Sequence, residues 1–349
     1  MVHQYKLNGY NIVLDTCSGS VHVVDEVAYD IIALYPEKTR EEIVSAILAQ
    51  YGGRPDVNEE EVRACIGDVA ALERAGKLYT PDTFEHMAFD FKNRSTVVKA
   101  LCLHVAHTCN LSCPYCFASQ GKYHGQRALM SFDVGKRALD FLMENSGDRV
   151  NLEVDFFGGE PLMNWEVVKE LVAYAREQEG PRGKKFRFTL TTNGMLIDDD
   201  VIDFANREMH NVVLSLDGRK EVHDRLRVDC AGRGSYDRIV PKFQKLVERR
   251  GGKGYYMRGT FTHANPDFTK DVLHMADLGF DQLSMEPVVC APDDPAALTA
   301  EDLPIVLEQY ELLAKEMLRR EREGRGFTFY HYMLDLAHGP CIYKRISGC

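Results

Sequence analysis

From residue 99 onward the sequence alternates short apolar runs with amphipathic stretches, six times over, and this alternation constrains the fold more than any other feature. The runs at 99–105, 151–157, 185–192, 211–216, 255–262 and 280–286 have strand length. The stretches at about 131–146, 164–179, 198–209, 235–249, 266–278 and 301–323 carry apolar residues at helical spacing. Parallel strands need a crossover connection, and a helix is the usual one, so the pattern predicts an α/β region with helices packed outside a parallel sheet. Eight such units close a barrel. Six predict a partial (β/α)6 TIM-like barrel spanning 99–325, with ligands at the carboxyl ends of the strands.

Residues 1–80 read as a separate module. Asn8-Gly9 is a hairpin turn pair between two short strands, and a third strand follows Ser18-Gly19. Three helices come next. The first starts at Asp25 with Val27, Ile31 and Leu34 on one face. The second starts at Thr39 with Glu42 completing a capping box, and the third spans about 58–75 with Asn58 as its cap and Gly76 at its end. A last strand at 77–80 would close a winged-helix-like shape. Such a module commonly binds DNA, yet seven Lys/Arg against thirteen Asp/Glu leave it at about -6. A peptide laid along an exposed strand edge suits this charge better, because main-chain hydrogen bonds need no cations; a purely structural cap is the alternative. Residues 81–98 read as a linker.

The whole chain carries a formal charge of -11 with no long Lys/Arg run, which argues against a nucleic-acid partner. The N-terminus has no charged head followed by an apolar stretch, and no segment reaches the roughly 20 apolar residues a membrane span needs. A cytoplasmic location without a membrane partner is therefore expected. In a reducing compartment, clustered cysteines bind metal or do redox chemistry more often than they form disulfides. Of the ten cysteines, Cys109, Cys113 and Cys116 fall within eight residues, directly after the first barrel strand.

Three thiolates in one loop suit an iron-sulfur cluster held at three of four corners, leaving one iron open to a ligand. Structural zinc, with His104 or His107 as fourth ligand, is the alternative. Later strand ends also carry polar residues. Gly158-Gly159-Glu160 offers close backbone approach and a carboxylate for an ammonium group, or a tight turn. Asn193, after Thr191-Thr192, and Ser215, before Asp217-Gly218, suit sugar hydroxyls or ordinary turns. Arg227 would grip a carboxylate, or pair with Asp224 or Asp229. Glu286, His263 and His331 are given no catalytic role, although Glu286 would lie at a strand end. At the far end stand Cys341 and Cys349.

These motifs resemble the radical S-adenosylmethionine (SAM) superfamily, whose hallmark is C-x3-C-x2-C with an aromatic residue before the last cysteine, here Tyr115. More narrowly, the chain is similar to peptide maturases with an N-terminal recognition element for ribosomally made precursors, above all the thioether-forming maturases of six-cysteines-in-forty-five (SCIFF) peptides. The superfamily resemblance covers about 99–290 and that to the recognition element covers 1–80. It implies that Cys109, Cys113 and Cys116 ligate a 4Fe-4S cluster and that the Tyr115 backbone approaches adenine. It also implies that Gly158, Gly159 and Glu160 meet the methionine amino group of S-adenosyl-L-methionine, that Ser215 and Asn193 neighbour the ribose, and that Arg227 meets the methionine carboxylate. The resemblance further implies a precursor peptide held through its leader and an electron donor such as flavodoxin or ferredoxin. Related maturases continue into a SPASM-type region with auxiliary 4Fe-4S clusters. Residues 326–349, with Cys341 and Cys349 as candidate ligands, read as an incomplete start of one, or as holding free cysteines.

Overall fold

The computed structural model describes residues 1–83 and 97–333, which form two compact units. In the first, strands β1 (Val2–Leu7), β2 (Tyr10–Asp15) and β3 (Val21–Val24) make an antiparallel sheet in the order β1-β2-β3. Helices α1 (Glu26–Leu34), α2 (Arg40–Tyr51) and α3 (Glu59–Arg74) follow. Asn8 and Gly9 both take positive φ, as the hairpin turn requires. Each helix start is capped by the expected side chain: Asp25, Thr39 with its reciprocal Glu42, and Asn58. Ile31, Ile43, Ile47, Val62, Ile66 and Leu78 close the core with Val13 of β2. Removing a fully buried side chain of this size from water stabilises by about 1.5–3 kcal/mol.

The strand expected at 77–80 does not form. Gly76 and Tyr79 both adopt positive φ, which breaks an extended run. The Thr80 N–H is spent on the Asp15 carboxylate at 3.0 Å, and the Tyr79 hydroxyl donates to the Ile32 carbonyl, so the segment is tied down by turn contacts instead of a ladder.

The second unit is a seven-stranded, wholly parallel sheet. Its strands are β4 (Ala100–Ala106), β5 (Asn151–Gly158), β6 (Lys185–Thr192), β7 (Met209–Ser215), β8 (Tyr255–Phe261), β9 (Gln282–Pro287) and β10 (Thr328–Phe329). Their spatial order follows the chain, each beside its sequence neighbour, as in an incomplete α/β barrel. The connections run through α4 (Phe132–Glu144), α5 (Trp165–Arg182), α6 (Asp199–Glu208), α7 (Lys220–Leu226), α8 (Tyr236–Arg250), α9 (Thr269–Asp277) and α10 (Leu303–Arg322). Two elements were not expected. The strand β10, of two residues, carries the sheet past residue 325, and α7 spans seven residues; both are too short to show a periodicity.

One face of the strands is apolar and packs against the helices, with Leu152, Val154 and Phe156 on β5 and Phe186, Phe188 and Leu190 on β6 all buried. The alternate positions, Glu153, Asp155, Arg187 and Thr189, line a trough instead. Parallel sheets are usually covered and apolar on both faces, so this polar face marks an interior reached by solvent or ligand. Cys341 and Cys349, and most of the expected linker 81–98, lie outside the described residues.

Candidate active site

The loop after β4 is pinned on two sides. The Ser112 N–H donates to the Val228 carbonyl at 2.7 Å, and Leu111 bridges Asp229. On the other flank the Gly159 N–H reaches the Ala106 carbonyl at 2.7 Å and the Glu160 N–H reaches that of Thr108 at 2.9 Å. This approach needs glycine. A Cβ on Gly159 would stand 2.2 Å from the Thr108 carbonyl oxygen, and one on Gly158, whose φ is +135°, would stand 2.5 Å from that of Ala106. Both glycines therefore serve the seating of the cysteine loop as well as the cavity they border.

Cys109, Cys113 and Cys116 share one cavity of about 390 Å3 with Tyr115, Gly158, Gly159, Glu160, Asn193, Ser215 and Arg227. Every candidate residue that lies within the described part of the chain is thus brought to one place. Burial, then the nearby Glu160 carboxylate, pushes the Cys109 thiol up to about 12, and burial pushes Cys113 up to about 11. Such thiols ionise readily only against a metal centre, whose positive charge reverses the local balance.

Glu160 is buried and its carboxylate accepts from the Thr192 hydroxyl at 2.7 Å, the Asn193 N–H at 2.8 Å and the Leu162 N–H at 3.1 Å. Burial raises its pKa to about 7, against the pull of those donors. The Asn193 amide donates to the Asn110 side-chain oxygen at 2.7 Å and to the Cys109 sulfur at 3.5 Å, which couples the end of β6 to the first cysteine.

Arg227 pairs with neither Asp224 nor Asp229. Its partner is the fully buried Asp217, which accepts from Arg227 Nε at 2.9 Å and Nη2 at 3.0 Å, from the Tyr115 hydroxyl at 2.7 Å and from the Thr260 N–H at 3.0 Å. Burial alone would depress the Arg227 pKa, and Asp217 more than reverses that, so the guanidinium stays charged. Asp224 instead accepts from the Tyr236 N–H at the start of α8, and Asp229 pairs with Arg233.

The role of Asp217 is not marked by its neighbours in sequence, and Arg258 and Thr260, which line the cavity, stand outside the motifs at the strand ends. A charged residue at an alternate position of the apolar strand β8 was the available signal for Arg258. Glu286 lines the cavity too. Burial would raise its carboxyl, but the Ser284 hydroxyl, His331 and Arg258 hold it below the usual range. His263 pairs with Asp302 at 2.8 Å, outside the cavity lining.

The donor chemistry fits a cluster. Three thiols on one loop border the same cavity, a soft donor set that suits a cubane held at three corners. His104 and His107 face Tyr123, at ring distances of 4.6 and 5.0 Å.

The sequence profile of the radical SAM superfamily matches residues 103–286, more than half of the chain. The chain belongs to the radical SAM superfamily. This family works with a 4Fe-4S cluster and S-adenosylmethionine. Among curated relatives, the cysteine-type anaerobic sulfatase-maturating enzyme of Clostridium perfringens strain 13 is 31% identical over 140 residues, 38% of this chain and 36% of that one. The radical SAM cyclopropyl synthase TigE of Paramaledivibacter caminithermalis is 23% identical over 184 residues, 49% of this chain and 38% of TigE. The aligned stretches thus span well under half the length of these relatives. The radical SAM fold is matched by the solved structure of native anSMEcpe with bound AdoMet and Kp18Cys peptide, at a TM-score of 0.58 and 21% identity, over 66% of this chain and 63% of that one.

Proposed function

We propose that this chain is a radical SAM peptide maturase that forms a Cys thioether cross-link in a ribosomally made precursor. The observation that carries the reading is the gathering of three thiols, Glu160, Asn193, Ser215 and Arg227 around one cavity at the carboxyl ends of parallel strands. When bound, the cluster would supply one electron for reductive cleavage of S-adenosylmethionine, whose 5'-deoxyadenosyl radical would take hydrogen from a substrate held at near-attack distance; as the S–C bond closes, the thiol would lose its proton and the electron released would return to an iron-sulfur centre.

The residues divide the remaining work. Cys109, Cys113 and Cys116 would hold the cluster at three corners, leaving one iron for the cofactor. Glu160, with three donors fixing its carboxylate, accepts from the methionine amino group. Ser215 and Asn193 border the ribose, and the Tyr115 backbone borders adenine. Arg227 offers the cofactor carboxylate its Nη1, since Asp217 holds the other two nitrogens.

Residues 1–80 act as a winged-helix-like recognition element for the leader. Support comes from the acidic charge of this unit and from β3, an edge strand whose Val21 and Val23 are exposed, a surface suited to strand addition. Peptide substrates are further supported by the Kp18Cys peptide bound to anSMEcpe. A flavodoxin or ferredoxin in the cytoplasm would supply the electron. Among the described residues no helix is long and apolar enough to cross a membrane.

Anaerobic reconstitution with iron, sulfide and dithionite is expected to give 5'-deoxyadenosine. Co-expression with a six-cysteine peptide is expected to lower its mass by two hydrogens per link while a thiol is lost to alkylation. Absence of 5'-deoxyadenosine from iron-loaded protein sinks the enzyme reading. An unchanged peptide, with a sulfatase-type peptide oxidised instead, moves the chain to the sulfatase-maturating group.

A further inference from the structure

The active-site cavity of about 390 Å3 and the polar trough of about 1020 Å3 inside the open sheet are bordered by four residues in common: Phe117, Phe157, Thr191 and Arg258. These four mark the neck between the two spaces. Phe117 and Phe157 lie nearly parallel, with ring centroids 6.4 Å apart, and form its apolar side. Arg258 comes from β8, where its register neighbours are Ser215 on β7 and Ser284 on β9.

The charged groups at this neck differ in how they are held. Arg227, the other arginine bordering the cavity, is engaged by Asp217. Glu286, the carboxylate nearest in register, accepts from the Ser284 hydroxyl at 2.6 Å and pairs with His331 at 3.2 Å. Arg258 acts on the Glu286 carboxylate through space, but it forms no hydrogen bond or ion pair with any of the described residues, so its fork stays open to a ligand. Deeper in the trough the charges are mixed, with Asp155, Glu153 at 3.5 Å from Lys99, and Arg187 beside Glu153 in register, so that of these cations only Arg258 borders the active-site cavity as well. A carboxylate that reaches the neck would meet the planar fork of Arg258 within reach of the cysteine site, whereas Arg187 lines the trough alone.

We propose that Arg258 binds a carboxylate of the substrate at this neck, so that the peptide segment reaching the cysteine site carries an Asp or Glu close to the reacting residue. This rests on the peptide-maturase reading above. The trough is the approach route, its polar walls satisfying the backbone of an extended segment while Phe117 and Phe157 pack against its side chains.

Calorimetry on the full chain, reconstituted anaerobically and saturated with S-adenosylmethionine, tests the proposal with two probes: acetyl-Cys-Gly-Glu-Gly-Thr-amide and the same peptide with Gln for Glu. Loss of a charge-assisted bond of this kind corresponds to about 10- to 100-fold in Kd. The acidic peptide is expected to bind tighter by that factor. Arg258→Gln should erase the preference, and Arg258→Lys, which keeps the charge, should restore part of it. Equal affinity for the two peptides, no binding of either, or a preference that survives Arg258→Gln overturns the proposal. So does a rise in the Kd of S-adenosylmethionine in Arg258→Gln with the peptide preference intact, which assigns Arg258 to the cofactor carboxylate. Selective binding of the acidic peptide without any 5'-deoxyadenosine would instead defeat the maturase reading and leave the carboxylate site standing.

Discussion

Asp217 and Arg227 face each other through two parallel hydrogen bonds, of 2.9 and 3.0 Å, with Asp217 fully buried and Arg227 at the border of the cavity. The same carboxylate takes the Tyr115 hydroxyl, so one buried anion ties the turn after β7, the end of α7 and the cysteine loop together. Removing one partner of a buried pair leaves the other charge without compensation, which costs about 3–5 kcal/mol. Asp217→Ala is therefore expected to lose stability of that order, with Asp217→Asn losing less. Urea unfolding of the three proteins checks this; a loss below about 1 kcal/mol for Ala would mean that Arg227 finds water when Asp217 is gone.

Gly159→Ala places a methyl group against the Thr108 backbone carbonyl, an atom that cannot swing aside as a side-chain end can. Overpacking of this kind costs about 1–3 kcal/mol. Here the loop that must move carries the first cysteine, so iron content after reconstitution should fall together with the melting temperature. Full iron loading in a stable variant would show that the loop tolerates the shift.

Cys113→Ala removes one of the three thiols proposed to hold the cluster while leaving residues 1–80 untouched. Formation of 5'-deoxyadenosine should drop below detection, and binding of a cysteine-rich precursor through its leader should persist. Product quantification beside calorimetry reads both. Retained cofactor cleavage would show that another side chain completes the cluster.

His223 is buried, with Nδ1 accepting from the Asp217 N–H at 3.2 Å and Nε2 donating to the Ser235 hydroxyl at 2.9 Å. Burial lowers its pKa from 6.5 to about 4. Between those values the unfolded chain binds a proton here that the folded chain refuses. This group therefore lowers stability as pH falls through that window and contributes nothing above it. The full loss is on the order of 3 kcal/mol. In His223→Gln that acid-sensitive component disappears, so the stability gap between wild type and variant should narrow from pH 7 to pH 4.5. A gap of constant size would mean that the folded protein protonates His223 as easily as the unfolded one does.

Much of the barrel could be read directly. Strand and helix positions follow from the period of apolar residues, and Asp25, Thr39 and Asn58 cap helices because a cap is a contact over three residues. The cysteine loop was legible for the same reason. At 77–80 local reading failed, since the Thr80 amide is claimed by Asp15, 65 positions away.

The order of apolar and polar residues along the chain, and the spacing of Cys109, Cys113 and Cys116, thus determined the parallel sheet and where its chemistry sits, because both are properties of short stretches of backbone. The partner of Arg227, the glycine cradle under the cysteine loop and the neck formed by Arg258 were decided only in three dimensions. A buried charge takes whichever opposite charge the packing of distant strand ends brings within about 3 Å, and no local pattern encodes that choice.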